Sequence, residues 1–319
     1  MPEHLDFDGQ LKTIELLAKE FDSALQYSAE GGSVERAEKI KEQIDSRLSA
    51  LEIQIKEREN SQEVSPELAK EIFGKDYLGP EAIKKAFGFD VPESEIPKIP
   101  YTREQLDFAQ KNGEMLVLRV AAAHDFTGAI PNINVVTIEN MESIFKTADA
   151  AQLHNKERYA DQYFYKSETP RAGWRLVDKG ILLGSNSSNY FTQTKQLRNY
   201  LKSVGALSQE EFDSSSDLHI NSLQDLYYTG NKLEAVKGLT ELKINKNHRR
   251  SLVEAYYDLV LRFGSTGTFS MVSRFDWTNT LESGHANYFW IGYLNGKYMI
   301  ETADVISNSM QNVGVVGTH

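Results

Sequence analysis

The last 56 residues, from Gly264 onward, constrain this chain more than any other stretch. They hold six charged side chains (Arg274, Asp276, Glu282, Lys297, Glu301 and Asp304), whereas charged residues make up 25% of the whole chain. In their place stand Gly, Ser, Thr and Asn, together with Phe269, Phe275, Trp277, Tyr288, Phe289, Trp290, Tyr293 and Tyr298. Aromatics among small polar residues are the composition of a paratope. Tyr and Trp offer wide contact area for two torsions each, and Ser, Gly and Asn add adaptable hydrogen bonds at small entropic cost. A Gly-rich β-meander has the same composition, so both readings stand here.

Upstream, residues 10–59 predict a helical hairpin. Leu11, Ile14, Leu17, Phe21 and Leu25 are spaced three or four apart on one arm, and Ala37, Ile40, Ile44, Leu48, Leu51 and Ile55 on the other. Gly31, Gly32 and Ser33 separate the arms as two breakers and an N-cap. Strips this narrow suit an antiparallel pair or an oligomeric coiled coil, so self-association through these helices is one reading. Ser65 before Pro66 marks a helix start, and a short helix is expected over 81–87, ending at Gly88. Three prolines between Val91 and Pro100 predict an extended linker and a domain boundary. The expected division is a hairpin arm (1–60), a short helix with Pro-rich linker (61–100), and a domain over 101–319 with its distinctive block at about 270–319. Within that domain, helices are expected over 102–112, 139–145, 188–203 and 252–263, and strands over 114–120, 174–177 and 181–183.

Composition excludes several functions. With 35 Lys and Arg against 46 Asp and Glu, the formal charge is −11, which disfavours nucleic-acid backbones and anionic membranes as partners. No apolar run approaches the ~20 residues of a membrane helix, so no membrane insertion is expected. The first eight residues lack the pattern of a signal peptide; the compartment stays open, a virion or cell surface included. There is no cysteine, which removes thiolate zinc sites and every cysteine-based mechanism. The seven histidines form no HxH, HxxxH or HExxH pattern, and no GxSxG, GxxxxGK[ST] or GxGxxG occurs. No metal, cofactor or catalytic residue is therefore expected. His124 and Asp125, after a predicted strand, could sit in a hydrolase site or an ordinary surface loop. The basic cluster from Asn245 to Arg250 reads as a solvated loop or as partners for carboxylates of the same chain.

Three C-terminal segments, FDWTNT at 275–280, FWIGYL at 289–294 and VGVV at 313–316, resemble the terminal region of diversity-generating retroelement variable proteins of archaeal viruses and uncultured archaea and bacteria. IPKIP at 96–100, LVLRV at 116–120, TPRAGWRLV at 169–177 and ELKIN at 241–245 resemble further segments of that group. The resemblance covers roughly residues 96–317. It implies an α+β protein with a C-type lectin fold of the formylglycine-generating-enzyme branch, preceded by a helical N-terminal region, with its first and last strands paired. It also implies a non-enzymatic ligand-binding protein whose partner is a variable macromolecule, a protein above all. The relatives that oxidise substrate use cysteines, which this chain lacks. A structural virion or surface component without a diversified site is the alternative from another class.

The resemblance separates framework from variable positions. Trp277, Ile291, Gly292, Leu294, Val313, Gly314 and Val315 match the framework. The implied variable, ligand-binding positions are Asn279, Tyr288, Trp290, Tyr293, Asn295, Tyr298, Glu301, Thr302, Ala303, Asp304, Asn308, Met310 and Gln311. Diversification in this family mutates template adenines, usually in Asn codons ending in a pyrimidine. Trp290, Glu301, Met310 and Gln311 cannot arise from those codons and need other templates or belong to the scaffold. On this reading Tyr288, Trp290, Tyr293 and Tyr298 should be exposed together, with Tyr288 and Trp290 on one strand face and Phe289 and Ile291 turned inward. The 301–311 stretch should border them, and Trp277 and 313–316 should be buried.

Overall fold

The computed structural model describes residues 7–29, 34–61, 64–122, 135–144, 153–154, 159–186, 188–268, 274–294, 297–306 and 313–319. The chain divides into two compact units, 1–64 with 101–104 and 65–100 with 105–319. In the first, α1 (Phe7–Ala29) and α2 (Glu35–Ser61) form the expected hairpin. Its seam is narrow: Ala24, Ala37 and Ile40 are buried, with Leu17, Phe21 and Ile44 against them. Arg36 pairs with Glu20 at 3.0 Å, an exposed contact that adds little stability. Gly31 to Ser33 lie outside the described residues.

In the second unit Ser65 caps α3 (Pro66–Phe73), its Oγ accepting from the Leu68 amide at 3.2 Å. β1 (Tyr77–Leu78) leads to α4 (Pro80–Phe87), which stops on left-handed Gly88. The Pro-rich stretch is mostly exposed but anchored at its end: Ile99 is buried, and the Pro97 carbonyl accepts the Trp174 indole N–H at 2.8 Å. Residues 65–100 belong with 105–319 in the second unit. After α5 (Arg103–Lys111) comes β2 (Glu114–Arg119), buried along its whole length as its apolar run predicts. Then follow α6 (Ile138–Ile144), β3 (Leu153–His154), α7 (Tyr163–Lys166) and β4 (Gly173–Asp178). The segment 181–183 is a turn region, not the expected strand; a ladder-like bond runs from the Leu182 amide to the Val315 carbonyl at 2.8 Å.

The helices α8 (Tyr190–Ser203), α9 (Gln209–Ser214), α10 (Asp217–Tyr228), α11 (Lys232–Glu241) and α12 (Lys243–His248) come next. α13 (Leu252–Thr266) starts in a Ser251–Glu254 capping box and ends on left-handed Gly267. Its first ten residues are all buried, so it is an interior helix rather than an amphipathic cover. The strands β5 (Phe275–Leu281), β6 (Asn287–Leu294), β7 (Lys297–Asp304) and β8 (Val313–Gly314) finish the chain.

Two sheets result, one ordered β1-β2-β4 and one ordered β3-β7-β6-β5-β8. The edge strands β1, β3 and β8 pair in parallel, and the other pairings are antiparallel. Trp277, Tyr288, Trp290 and Ala303 on one face of the larger sheet join a core with Tyr190, Leu197, Ile220, Tyr227, Val236 and Leu239 of α8, α10 and α11. The opposite face meets α7 and α13. The protein is therefore mixed α+β, with helices and two small sheets around interior helix α13.

Candidate functional site

The β6–β7 hairpin carries most of the implied variable positions, and its centre is buried on both faces. Tyr288 is 0% exposed, stacked on Tyr190 at 4.0 Å and hydrogen-bonded through its hydroxyl to Thr240 Oγ1 and Val236 O, both at 2.8 Å. Trp290 is buried edge-on to Phe275. Facing the other way, Phe289 and Ile291 are buried too, Phe289 packing on Tyr159 and Phe164. Tyr298 is 0% exposed and donates to the Leu259 carbonyl at 3.2 Å. The expectation that Tyr288, Trp290 and Tyr298 are displayed is therefore corrected, as it is for buried Ala303. Alternation along a strand decides which face a side chain joins, but with helices on both faces either choice leads inside.

Five other positions are half-buried: Asn279, Tyr293, Glu301, Thr302 and Asp304. Tyr293 lies against the Tyr298 ring at 5.4 Å. Glu301 accepts from the Tyr159 hydroxyl at 3.4 Å, and Asn279 Oδ1 from the Tyr190 hydroxyl at 3.3 Å. Asp304 accepts from the Tyr227 hydroxyl and the Ile306 amide, with Lys232 Nζ at 3.9 Å. Tyr293 faces Tyr298 near the hairpin turn, and Asp304 faces Asn287 at the far end. At ~3.4 Å per residue the two ends are about 20 Å apart, so these positions do not make one patch around the central aromatics. Asn295, Asn308, Met310 and Gln311 lie outside the described residues, as do His124 and Asp125.

Beneath the hairpin a buried ion network fixes its frame. Arg250 joins Asp276 of β5 at 2.9 Å and Asp258 of α13 at 3.0 Å. Arg119 of β2 reaches Asp258 in a fork at 2.9 and 2.6 Å and Glu254 at 3.2 Å, while Arg171 takes Glu254 at 2.6 Å. Burial would raise the Glu254 carboxyl, but Arg119 and Arg171 hold it down at about 2. Arg249 stacks 3.9 Å over the Tyr190 ring and donates to Trp277 O at 2.9 Å. The basic cluster thus serves intramolecular pairing, and the solvated-loop alternative falls.

The terminal segment closes this frame. Trp277, Gly314, Val315 and Val316 are buried, as expected. β8 pairs with β5, and beyond it Thr318 bridges Val177 of β4. The last strand therefore does not pair with β1 or β2, which corrects the expected pairing of first and last strands. The Val316 amide donates to Asp276 Oδ1 at 2.9 Å. A Cβ on Gly314 would lie 2.6 Å from Ser185 Oγ, so only glycine lets the chain approach so closely there.

One arrangement escaped sequence reasoning. Glu114 and Asp178 face each other across β2 and β4. The Tyr200 hydroxyl lies 3.2 Å from Glu114 Oε1 and 3.1 Å from Asp178 Oδ1. A cleft of about 500 Å³ opens beside them, lined among others by Phe108, Asp178, Leu182, Leu183, Gln196 and Tyr200. No motif spacing signals such a site, because its members are 64 and 22 residues apart and meet only through the β2–β4 register and the approach of α8. Among the described residues no group of three or more His, Asp or Glu is placed to hold a metal ion, and no helix is long and apolar enough to cross a membrane. Comparison with protein-family models, characterised proteins and solved structures finds no match for this chain.

Proposed function

We propose that this chain is a non-enzymatic ligand-binding protein of the diversity-generating retroelement type. In this reading, a C-type-lectin-like domain presents its C-terminal region to a variable protein partner, and the N-terminal helices offer a surface for self-association. The observation that carries the reading is the frame on either side of residues 307–312, which lie outside the described residues. On one side Val305 is buried and its carbonyl accepts the Tyr190 amide at 2.9 Å. On the other, β8 pairs with β5 and Val316 is held by Asp276. Flanking positions held this firmly in the frame are what the scaffold beside a diversified site requires. The charge-poor, small-polar composition supports the same conclusion.

Burial revises which positions can vary. Tyr288, Trp290, Tyr298 and Ala303 join the scaffold, and the variable set contracts to Asn279, Tyr293, Asn295, Glu301, Thr302, Asp304, Asn308, Met310 and Gln311. The test is genomic: an imperfect DNA copy of the last ~50 codons beside a reverse transcriptase gene, differing at adenines. The copy should differ at codons of the contracted set and match at Tyr288, Trp290 and Tyr298. Absence of any such copy would favour the structural-component reading, and differences concentrated at the buried tyrosines would overturn the scaffold assignment.

A further inference from the structure

We propose that residues 315–319 form a pH-gated strap, held shut while a proton is shared along Glu114, Tyr200 and Asp178 and loosened when that proton leaves. The Tyr200 hydroxyl approaches a carboxyl oxygen on each side, at 3.2 and 3.1 Å. A phenol carries one proton, so both contacts are hydrogen bonds only when one carboxyl supplies the second. Glu114 is 1% exposed and its Oε2 accepts no hydrogen bond. Among the described residues neither carboxylate forms an ion pair with Lys or Arg, and neighbouring Lys179 is taken up by Asp76 at 2.6 Å. Two ionised carboxylates directly opposite in a ladder repel, and on the Glu114 side burial leaves little water to screen them.

The pair is coupled to the strap through β4. Asp178 Oδ2 accepts the Gly317 amide at 3.2 Å, and the Asp178 amide donates to the Gly317 carbonyl, also at 3.2 Å. Leu176 and His319 exchange backbone bonds at 2.8 and 3.0 Å. Gly317 is packed so closely that a Cβ would sit 2.7 Å from Asp178 Oδ2. A shift of Asp178 away from ionised Glu114 therefore pulls on the strap itself.

The surrounding charges do not cancel the effect. Arg250 and Asp276 both act on Asp178, with opposite sign. On the strap, His319 Nε2 lies 3.5 Å from Glu114 Oε2. From α12, His248 contacts the Thr318 carbonyl and Glu211 of α9, each at 3.2 Å. Burial and His248 push His319 down to about 4, so it stays neutral near neutrality. Burial, with Asp178 opposite, pushes Glu114 up to about 8, and burial pushes Asp178 up to about 6. A carboxyl raised in the folded state contributes stability that is full below its ordinary value of 4.5 and is lost as pH rises from there to about 8, where folded Glu114 ionises.

The strap extends the ligand-binding reading but does not depend on it. Hydrogen–deuterium exchange of the full chain between pH 5.5 and 9, corrected for intrinsic rates, tests it. Protection of the 315–319 amides should fall roughly tenfold per pH unit up to about 8, while β6 amides stay constant. Glu114→Gln should flatten the profile. Protection of 315–319 that does not change with pH, or an unchanged profile in Glu114→Gln, would overturn the proposal. Should that variant fail to fold, carboxyl ¹³C titration of the unmodified chain decides: Glu114 protonated at pH 6.5 supports the strap, and Glu114 ionised there refutes it.

Discussion

Replacing Tyr288 by alanine separates a displayed aromatic from a structural one. The side chain is 0% exposed, and the β6 backbone is held between two neighbours, so the cavity left behind cannot collapse easily. Truncating a buried aromatic costs about 3–5 kcal/mol. The hydroxyl bonds to Thr240 and Val236 at 2.8 Å are lost as well. Thr240 Oγ1 keeps its own bond to Val236 O at 3.0 Å, so no polar group is orphaned and this adds about 1 kcal/mol. The expected total is about 4–6 kcal/mol, against a whole-domain stability of about 5–15 kcal/mol. Tyr288→Phe keeps the ring on Tyr190 and should cost only about 1 kcal/mol. Tyr293→Ala, losing a half-buried ring and its contact with Tyr298, should cost about 1–2 kcal/mol. Urea denaturation followed by tryptophan fluorescence, with slopes compared between variants, reads all three. A Tyr288→Ala cost below that of Tyr293→Ala would refute the structural role of Tyr288.

Other outcomes follow from the same geometry. Truncation after Asn312 removes β8 and the buried Val315 and Val316, and should abolish cooperative unfolding of the larger unit; an unchanged melting temperature would count against closure by this segment. Asp258→Ala leaves Arg119 and Arg250 buried without a shared carboxylate and should cost about 3–5 kcal/mol. Glu210→Ala, which breaks an exposed pair with Lys243, should by contrast stay within about 0.5 kcal/mol, and equal costs would show that the network does not hold the frame. On the acid side Glu254 is depressed to about 2, so its contribution, full above the ordinary value of 4.5, should be lost as pH falls through about 2. Denaturation at pH 6 and pH 3 should therefore show a drop that Glu254→Gln reduces.

Local signals in this chain carried their information well where the deciding physics is local. Ser65 before Pro66 and Gly88 after Phe87 set helix ends within one turn, because capping is satisfied by neighbours in sequence. The apolar run of β2 and the helix at α13 were legible for the same reason. The helices α9–α12 went unpredicted: each is short and polar on its outer side, with its burial supplied by α8 and the larger sheet. The 181–183 segment has strand-forming residues, yet the edge it could have completed is taken by the terminal segment.

The candidate site divides along the same line. Composition determined that residues 264–319 hold aromatics among small polar residues, and that cysteine chemistry and helical membrane spans are absent from the sequence. It could not decide whether those aromatics face a ligand or a core, since Tyr and Trp serve both. Only tertiary structure, by laying helices over both faces of one sheet, placed Tyr288, Trp290 and Tyr298 inside and left Tyr293 and Asp304 at its ends. The Glu114–Tyr200–Asp178 contact likewise exists only through strand register and the approach of α8. Periodicity and capping are written within a few residues, whereas burial and shared protons depend on which distant segments meet.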